Sequence, residues 1–356
     1  MNDIFRRATK KCADFISPRW YGVVGGFLYV MRTRLVNSSS DPVPSPKGEP
    51  YSAEATKGGH QSVLLHEAIR ELEIHTSDVV LDATLGGAGH ARAIAEQLDT
   101  SGTLIGFDLD QDAIARAQTA LADAKPQIHL IKSNFRNLGN DLSARSIPTI
   151  DKALFDLGWS GYQLAAGRGF SFLSDEPLLM TYVQEITPET LTAREIVNEW
   201  EEESLIDIIS GWGEERYARR IAGMIVQRRA MKPFLTARDL ADEIKACVPT
   251  VYRYGRIHPA TKTFQALRIA VNDELGALQE GIGSAWQMLA PGGRIAVITF
   301  HSIEDRIVKQ LFVQWEKEEG GKRVTKKPLT PTDEELSHNP RARSAKLRVI
   351  QKENNQ

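Results

Sequence analysis

The chain has 356 residues, 42% hydrophobic and 25% charged, which is long enough for a full core and for two folding units. Its formal net charge of −2 gives no bulk attraction for polyanions, so a nucleic-acid site must come from local clustering. The cysteines, Cys12 and Cys247, stand in no metal-ligand spacing, which speaks against a disulfide framework or a zinc site and fits a reducing compartment.

Residues 1–58 differ from the rest. Seven Lys/Arg in the first 35 residues face two acids, Asp3 and Asp14. An apolar run over 20–31 is shorter than the roughly 20 residues a membrane span needs. Residues 37–59, rich in Ser, Pro and Gly, read as linker. Three readings of this extension stand: a mobile or mis-started segment, an organelle transit peptide, or a membrane-surface anchor.

Apolar residues at helical spacing over 63–72 predict a first helix. Asp78-Val-Val-Leu-Asp82 predicts a strand, followed by a Gly-rich turn and a helix over 91–98. Thr103-Leu-Ile-Gly-Phe-Asp108 predicts a second strand and 111–124 a helix; 128–131 and Lys152-Ala-Leu-Phe-Asp156 are the third and fourth strands. Such alternation is the pattern of a parallel doubly wound sheet, which binds ligands beyond the carboxyl ends of its strands. From 162 to 259 the rhythm stops, and helical spacing appears over 205–209, 217–226 and 240–247. A long amphipathic helix or helix pair over 261–289 then leads through Pro291-Gly-Gly293 to a buried strand over 294–300, with a last strand over 346–350. The expected organisation is an extension over 1–58, an α/β domain made of 59–161 and 260–356, and a helical insertion over 162–259.

Gly86, Gly87 and Gly89 follow the first strand and open a helix, where glycine lets backbone approach a ligand and the helix offers unpaired N–H donors. Asp108, 26 residues after Asp82, closes the next strand, where a carboxylate can accept both hydroxyls of a ribose. Either S-adenosylmethionine or a dinucleotide would suit it. Leu85-Gly-Gly-Ala-Gly-His90 lacks the G-x-G-x-x-G spacing used for pyrophosphate, which favours S-adenosylmethionine. Asp110 and Asp112 read as caps and dipole partners of the helix they open.

Asp156-Leu-Gly-Trp159 closes the fourth strand. An exocyclic base amine is a poor nucleophile because its lone pair is delocalised into the ring. Acceptors aimed at its protons, from Asp156 and the Leu157 carbonyl, would localise that pair, and Trp159 could stack on an extruded base. The alternative is that Asp156 only orients its loop and Trp159 is core. After the fifth strand, Ser302 with Asp305 reads as a capping box, with His301 and Glu304 able to face the site. Arg216, Arg219, Arg220, Arg228, Arg229 and Lys232 crowd one helical stretch, and Tyr252-Arg-Tyr-Gly-Arg-Ile-His258 interleaves aromatics with cations. That mixture suits RNA, though a solvated helix face explains any single cluster equally well.

Several longer strings complete the pattern: His60-Gln-Ser-Val-Leu-Leu-His-Glu-Ala68, Arg168-Gly-Phe-Ser-Phe172, Gly213-Glu-Glu-Arg216, His258-Pro-Ala-Thr-Lys-Thr-Phe-Gln-Ala266, Phe300-His-Ser-Ile-Glu-Asp-Arg306 and Asn339-Pro-Arg-Ala-Arg-Ser344. With the Gly-rich turn, they make residues 59–352 resemble the small-subunit rRNA cytosine-N4 methyltransferase family. The resemblance implies a Rossmann-like S-adenosylmethionine-dependent domain interrupted by a helical substrate-recognition insertion. It implies cofactor contacts at Ala88, Gly89, His90, Asp108, Phe135, Asp156 and Gln163, with methylation of a cytidine N4 in small-subunit rRNA. A cytoplasmic protein without metal or membrane span is expected, with a homodimer left open. The chain departs from many members at Trp159 and Gly161, and Leu179 and Thr181 stand where an acid and a base are usual. Those two positions keep one alternative alive, an assembly factor that binds cofactor and RNA with weakened or lost catalysis.

Overall fold

Most apolar runs read from the sequence form strands buried on both faces, as parallel strands between helical layers are, while the run over 128–131 is only partly buried at the sheet edge. In the computed structural model, which describes residues 61–158, 167–183 and 185–354, β1 (Val79–Asp82), β2 (Thr103–Asp108), β3 (Gln127–Lys132), β4 (Ile150–Asp156) and β5 (Leu289–Thr299) run parallel. β7 (Lys346–Lys352) pairs antiparallel with β5 and with β6 (Gly321–Arg323), giving the order β3-β2-β1-β4-β5-β7-β6. Expectations for residues 1–58, Trp159 and Gln163 fall outside the described residues. β6 is a three-residue edge strand whose Lys322 is exposed, so no apolar periodicity marks it in the sequence.

Side chains alternate across the sheet. Val80, Ala296, Ile298, Leu347 and Val349 face one helical layer, while Leu81, Ile295, Val297 and Ile350 face the other. The first layer is α1 (Leu65–Leu72), α2 (Gly89–Gln97) and α3 (Gln111–Ala120), which contribute Leu72, Ile94 and Ala117. The second layer begins with α4 (Leu138–Ser143), which buries Leu138 and Leu142.

Between β4 and β5 lie α5 (Ala193–Glu199), α6 (Glu202–Gly211), α7 (Ala218–Met231), α8 (Ala237–Cys247) and the short α9 (Thr250–Arg253). They bury Ile196, Ile209, Ile221, Phe234 and Leu240 in a core of their own, which also takes Phe264 and Leu267 from α10 (Thr261–Asn272). Thr192 and Glu195 cap α5 reciprocally, and Thr236 accepts from the Asp239 N–H at the start of α8. Two of the cations read as an RNA face are structural. Arg228 pairs with Asp239 at 2.5 Å and lies over the Phe234 ring, and Arg229 donates to the carbonyls of Val197 and Trp200.

The stretch expected as one long helix or a pair is a pair. Asp273 adopts the left-handed region (φ 48°), ending α10, and α11 (Glu274–Met288) starts at the next residue. Arg136 holds this break through ion pairs to Asp273 and to Glu280. α11 and α12 (Ser302–Glu318) complete the second layer, with Trp286 stacked on Trp315 at 4.6 Å. The helix α13 (Asp333–His338) and a 3₁₀ turn, Pro340–Ser344, precede β7. Among the described residues no helix is long and apolar enough to cross a membrane.

Phe234 is fully buried in the core between β4 and β5. Phe234→Ala should cost about 3–5 kcal/mol in urea unfolding, from lost transfer energy and the cavity left behind. A loss below about 1 kcal/mol would contradict that packing.

Candidate active site

Three of the five parallel strands end in acids. Asp82, Asp108 and Asp156 are the last residues of β1, β2 and β4, and the register sets Asp82 beside Gly106 and Leu154. Backbone donors fix the turns that follow. Asp82 Oδ1 accepts from the Thr84 N–H at 3.0 Å, and Thr84 Oγ1 accepts from the Asp156 N–H at 2.8 Å. Asp108 accepts from the Gly86 N–H and the Asp110 N–H, each at 2.9 Å. The acid expected at a ribose therefore also moulds the Gly-rich turn, and burial raises its carboxyl pKa.

The turn needs its glycines partly for packing. A Cβ on Gly89 would lie 2.1 Å from Ser62 Oγ, and one on Gly106 would lie 2.5 Å from Leu85 Cδ2. Gly86 and Ala88 both have positive φ, and Ala88 caps α2. Asp110 caps α3 by accepting from the Asp112 N–H, as read from the sequence. Phe135 follows β3, half-buried, edge-on to Phe155 at 5.7 Å. A Cβ on Gly281 would meet its ring at 2.4 Å, so α11 holds that ring closely.

Asp82 is fully buried with Oδ2 unpartnered, and Asp156 has Oδ1 buried and unpartnered. Burial and, to a lesser degree, the charge of Asp108 push the Asp82 carboxyl up to about 7. Burial, then the charges of Asp82 and Glu304, hold Asp156 well above the ordinary carboxylate range. The second oxygen of Asp156 lies 3.5 Å from His90 Nδ1, and His90 Nε2 contacts the Val63 carbonyl at 3.1 Å.

The cap of α12 is displaced from its expected place. His301 remains extended, so helical geometry begins at Ser302, and the box is His301 with Glu304. Ser302 instead donates to Glu214 Oε2 at 2.6 Å, and Asp305 pairs with Lys346 and Arg348 of β7. Glu304 is buried and accepts from the Phe300 and His301 N–H groups. Burial works to raise its pKa, but the His301 and Arg268 contacts prevail and hold it low.

Sequence reasoning missed a neighbouring network. Arg268 pairs with both oxygens of Glu274, at 2.8 and 3.0 Å, and Tyr182 donates its hydroxyl proton to Glu274 Oε1 at 2.7 Å. Glu274, His301 and Glu304 place potential ligand atoms within 4.8 Å of one another. Their partners organise them as ion pairs. His301 Nδ1 accepts from the Glu304 N–H at 3.3 Å, so the neutral ring keeps its proton on Nε2 and offers no lone pair there. Nothing local marked Tyr182 or Glu274, because the break at Asp273 is what aligns them.

Leu179 is half-buried, and Thr181 is buried with its hydroxyl accepting from the Val183 N–H at 3.2 Å. Glu214 accounts for the Gly-Glu-Glu-Arg string: its carboxylate reaches Ser302 and Arg306 on α12, and its carbonyl accepts from Lys262. Arg216 lies over the rings of Tyr217 and Tyr252, while Arg219, Arg220, Lys232, Tyr254 and Arg256 are exposed.

The residues fit a cationic nucleoside cofactor. Two carboxylates each hold a buried oxygen without a partner, a third acid closes β2 beside a Gly-rich turn, and an aromatic ring lies after β3. With a parallel sheet that takes in antiparallel β7, these define an S-adenosylmethionine-dependent methyltransferase. The chain belongs to the MraW methylase family, whose pattern matches residues 57–353. Its relatives include proteins named ribosomal RNA small subunit methyltransferase H. Those of Brevibacillus brevis and Clostridioides difficile are each 43% identical over 309 residues, covering 82% of this chain and 98% of theirs. That of a Paenibacillus species is 45% identical over 315 residues, covering 82% and 99%.

The Asp82 shift carries a stability consequence. A folded-state pKa near 7 against 3.8 means the folded chain binds this proton more tightly, so the contribution is full below about pH 4 and fades as pH rises towards 7. Asp82→Asn, which keeps the acceptor for Thr84, should remove that decline in urea melts of the cofactor-free protein at pH 5 and pH 8. Identical pH dependence in both proteins would contradict it.

Proposed function

We propose that the chain transfers a methyl group from S-adenosylmethionine to the N4 amine of a cytidine in small-subunit rRNA. The carrying observation is Asp156, a half-buried acid at the end of β4 with one buried, unpartnered oxygen, in a chain whose relatives are named for small-subunit rRNA methylation. When bound, the cofactor supplies an electrophilic methyl group. Ala88, Gly89, His90, Asp108, Phe135, Asp156 and Gln163 are its contacts, with Asp108 taking the ribose hydroxyls and Phe135 beside the adenine.

Asp156 does the work on the amine. Its carboxylate and the Leu157 carbonyl accept the N4 protons, localise the lone pair, and Asp156 takes the proton released as the new N–C bond forms. Trp159 stacks on the base. The exposed Arg219, Arg220, Arg256 and Lys232, with Tyr254, meet phosphates and bases of an assembled or partly assembled subunit in the cytoplasm, a shape a short naked RNA does not offer. Binding without transfer has less support. Asp156 keeps its His90 contact and its tie to Thr84, and Thr181 is satisfied within its own turn.

Asp108→Ala should weaken cofactor affinity roughly 10- to 100-fold, the scale of a charge-assisted hydrogen bond or two. Asp156→Ala should lower kcat by at least about 100-fold with cofactor affinity changed only a few-fold. Because only the carboxylate form accepts the proton, wild-type kcat should rise with pH along a limb set by the raised Asp156 pKa. Mass spectrometry of small-subunit rRNA from cells with and without the gene should show loss of one N4-methylcytidine. Full methylation in its absence would overturn the assignment.

A further inference from the structure

We infer that Glu304 is a positioning residue for the reaction: it holds the turn after β5 against the loop that carries Asp156 and sets a buried negative charge near that acid. The inference rests on the reading of Asp156 given above. The contacts run in a chain. Glu304 Oε2 accepts from the Phe300 N–H at 2.9 Å and the His301 N–H at 3.2 Å, which fixes the backbone just beyond β5. Phe300 in turn lies against Gly158, where a Cβ would come within 3.0 Å of Phe300 Cδ2. Gly158 also has a φ of 113°, a backbone suited to glycine, so the loop can turn close to that ring. The Leu157 N–H donates to the Ile298 carbonyl at 2.9 Å, and Asp156 pairs in register with Ile298. Asp156 and Leu157 are thus held by the end of β5, and Glu304 holds the residues that follow it.

The charges around Glu304 do not cancel. Arg268 is the cation of this network, and Glu274 takes it with both oxygens, at 2.8 and 3.0 Å. Tyr182 donates to the same Glu274, and burial keeps its hydroxyl protonated. With a neutral His301, two carboxylates face one cation, which leaves one negative charge in excess. The Glu304 side chain is only 5% exposed, so water screens that charge poorly. The His301 contact at 3.2 Å and the Arg268 charge favour its ionised form. The groups facing Asp156 are Asp82 from β1, His90 from α2 and Glu304 from α12. A fixed anion there makes the Asp156 carboxylate a stronger base and favours the positive charge that grows on the attacking amine. Glu304 itself exchanges no proton. The amine lone pair forms the N–C bond, the S–C electron pair stays on sulfur, and the proton released passes to Asp156.

Glu304→Gln keeps an acceptor for the two N–H groups and removes the charge. In the protein without cofactor or RNA, the ¹³C signal of the Asp156 carboxyl should then titrate about one pH unit lower than in the wild type. The rising limb of kcat against pH should move down by the same amount, and its plateau should fall roughly 3- to 10-fold, as a weaker base implies. In the wild type, the Glu304 signal should stay that of a carboxylate across the whole Asp156 transition. A Glu304 that gains its proton together with Asp156 would overturn the inference. So would an Asp156 midpoint that the substitution leaves in place, whatever happens to the plateau, because a merely structural residue lowers activity without moving it. An Asp156 signal that moves while the limb of kcat stays put would instead remove Asp156 from proton transfer, and the role of Glu304 with it. The wild-type spectrum decides the matter even where the variant folds poorly.

Discussion

Asp82 and Asp156 end adjacent strands, side by side, each with one buried oxygen that no protein group partners. Burying an ionised carboxylate without a partner is among the costliest arrangements a fold can hold. Two neighbours repel further, and the protein responds by keeping them protonated well above the ordinary range. The rest of the site follows from that tension. A proton or a cation relieves it, and the sulfonium of S-adenosylmethionine is such a cation.

The scaffold holds the acids where the tension persists. Thr84 ties the turn after β1 to the Asp156 backbone, and Asp108 ties the Gly-rich turn to the start of α3, so the three strand ends move together. The segments inserted between β4 and β5 are tied to the same floor. Glu214 reaches Ser302 and Arg306 at the start of α12, and Tyr182 reaches Glu274 at the start of α11. The inserted helices thus stay in mechanical contact with the starts of α11 and α12.

Much of this was legible in the sequence because it rests on local pattern. The strands are mostly apolar, the acids that end three of them mark the ligand end of a parallel sheet, and the glycines mark a turn that must pack tightly. The strings from the Gly-rich turn to Asn339 carried the family and with it the reaction class. What escaped depends on tertiary geometry. β6 has three residues and no apolar face. The α12 cap slipped by one residue because His301 stays extended after β5. Arg228 and Arg229 look identical in sequence to their exposed neighbours, yet a carboxylate, an aromatic ring and two helix-end carbonyls claim them. The Tyr182–Glu274–Arg268 network joins residues whose meeting is set by one left-handed residue, Asp273.

The buried acid pair can be examined directly by calorimetric titration of S-adenosylmethionine in buffers of different ionisation enthalpy, near pH 7. A cation arriving beside protonated carboxylates should expel protons, so the apparent enthalpy should depend on the buffer, and Asp82→Asn should reduce the protons released. An apparent enthalpy independent of buffer, with binding intact, would mean that these carboxylates hold no proton in the free protein and that the tension between them is not what shapes the site.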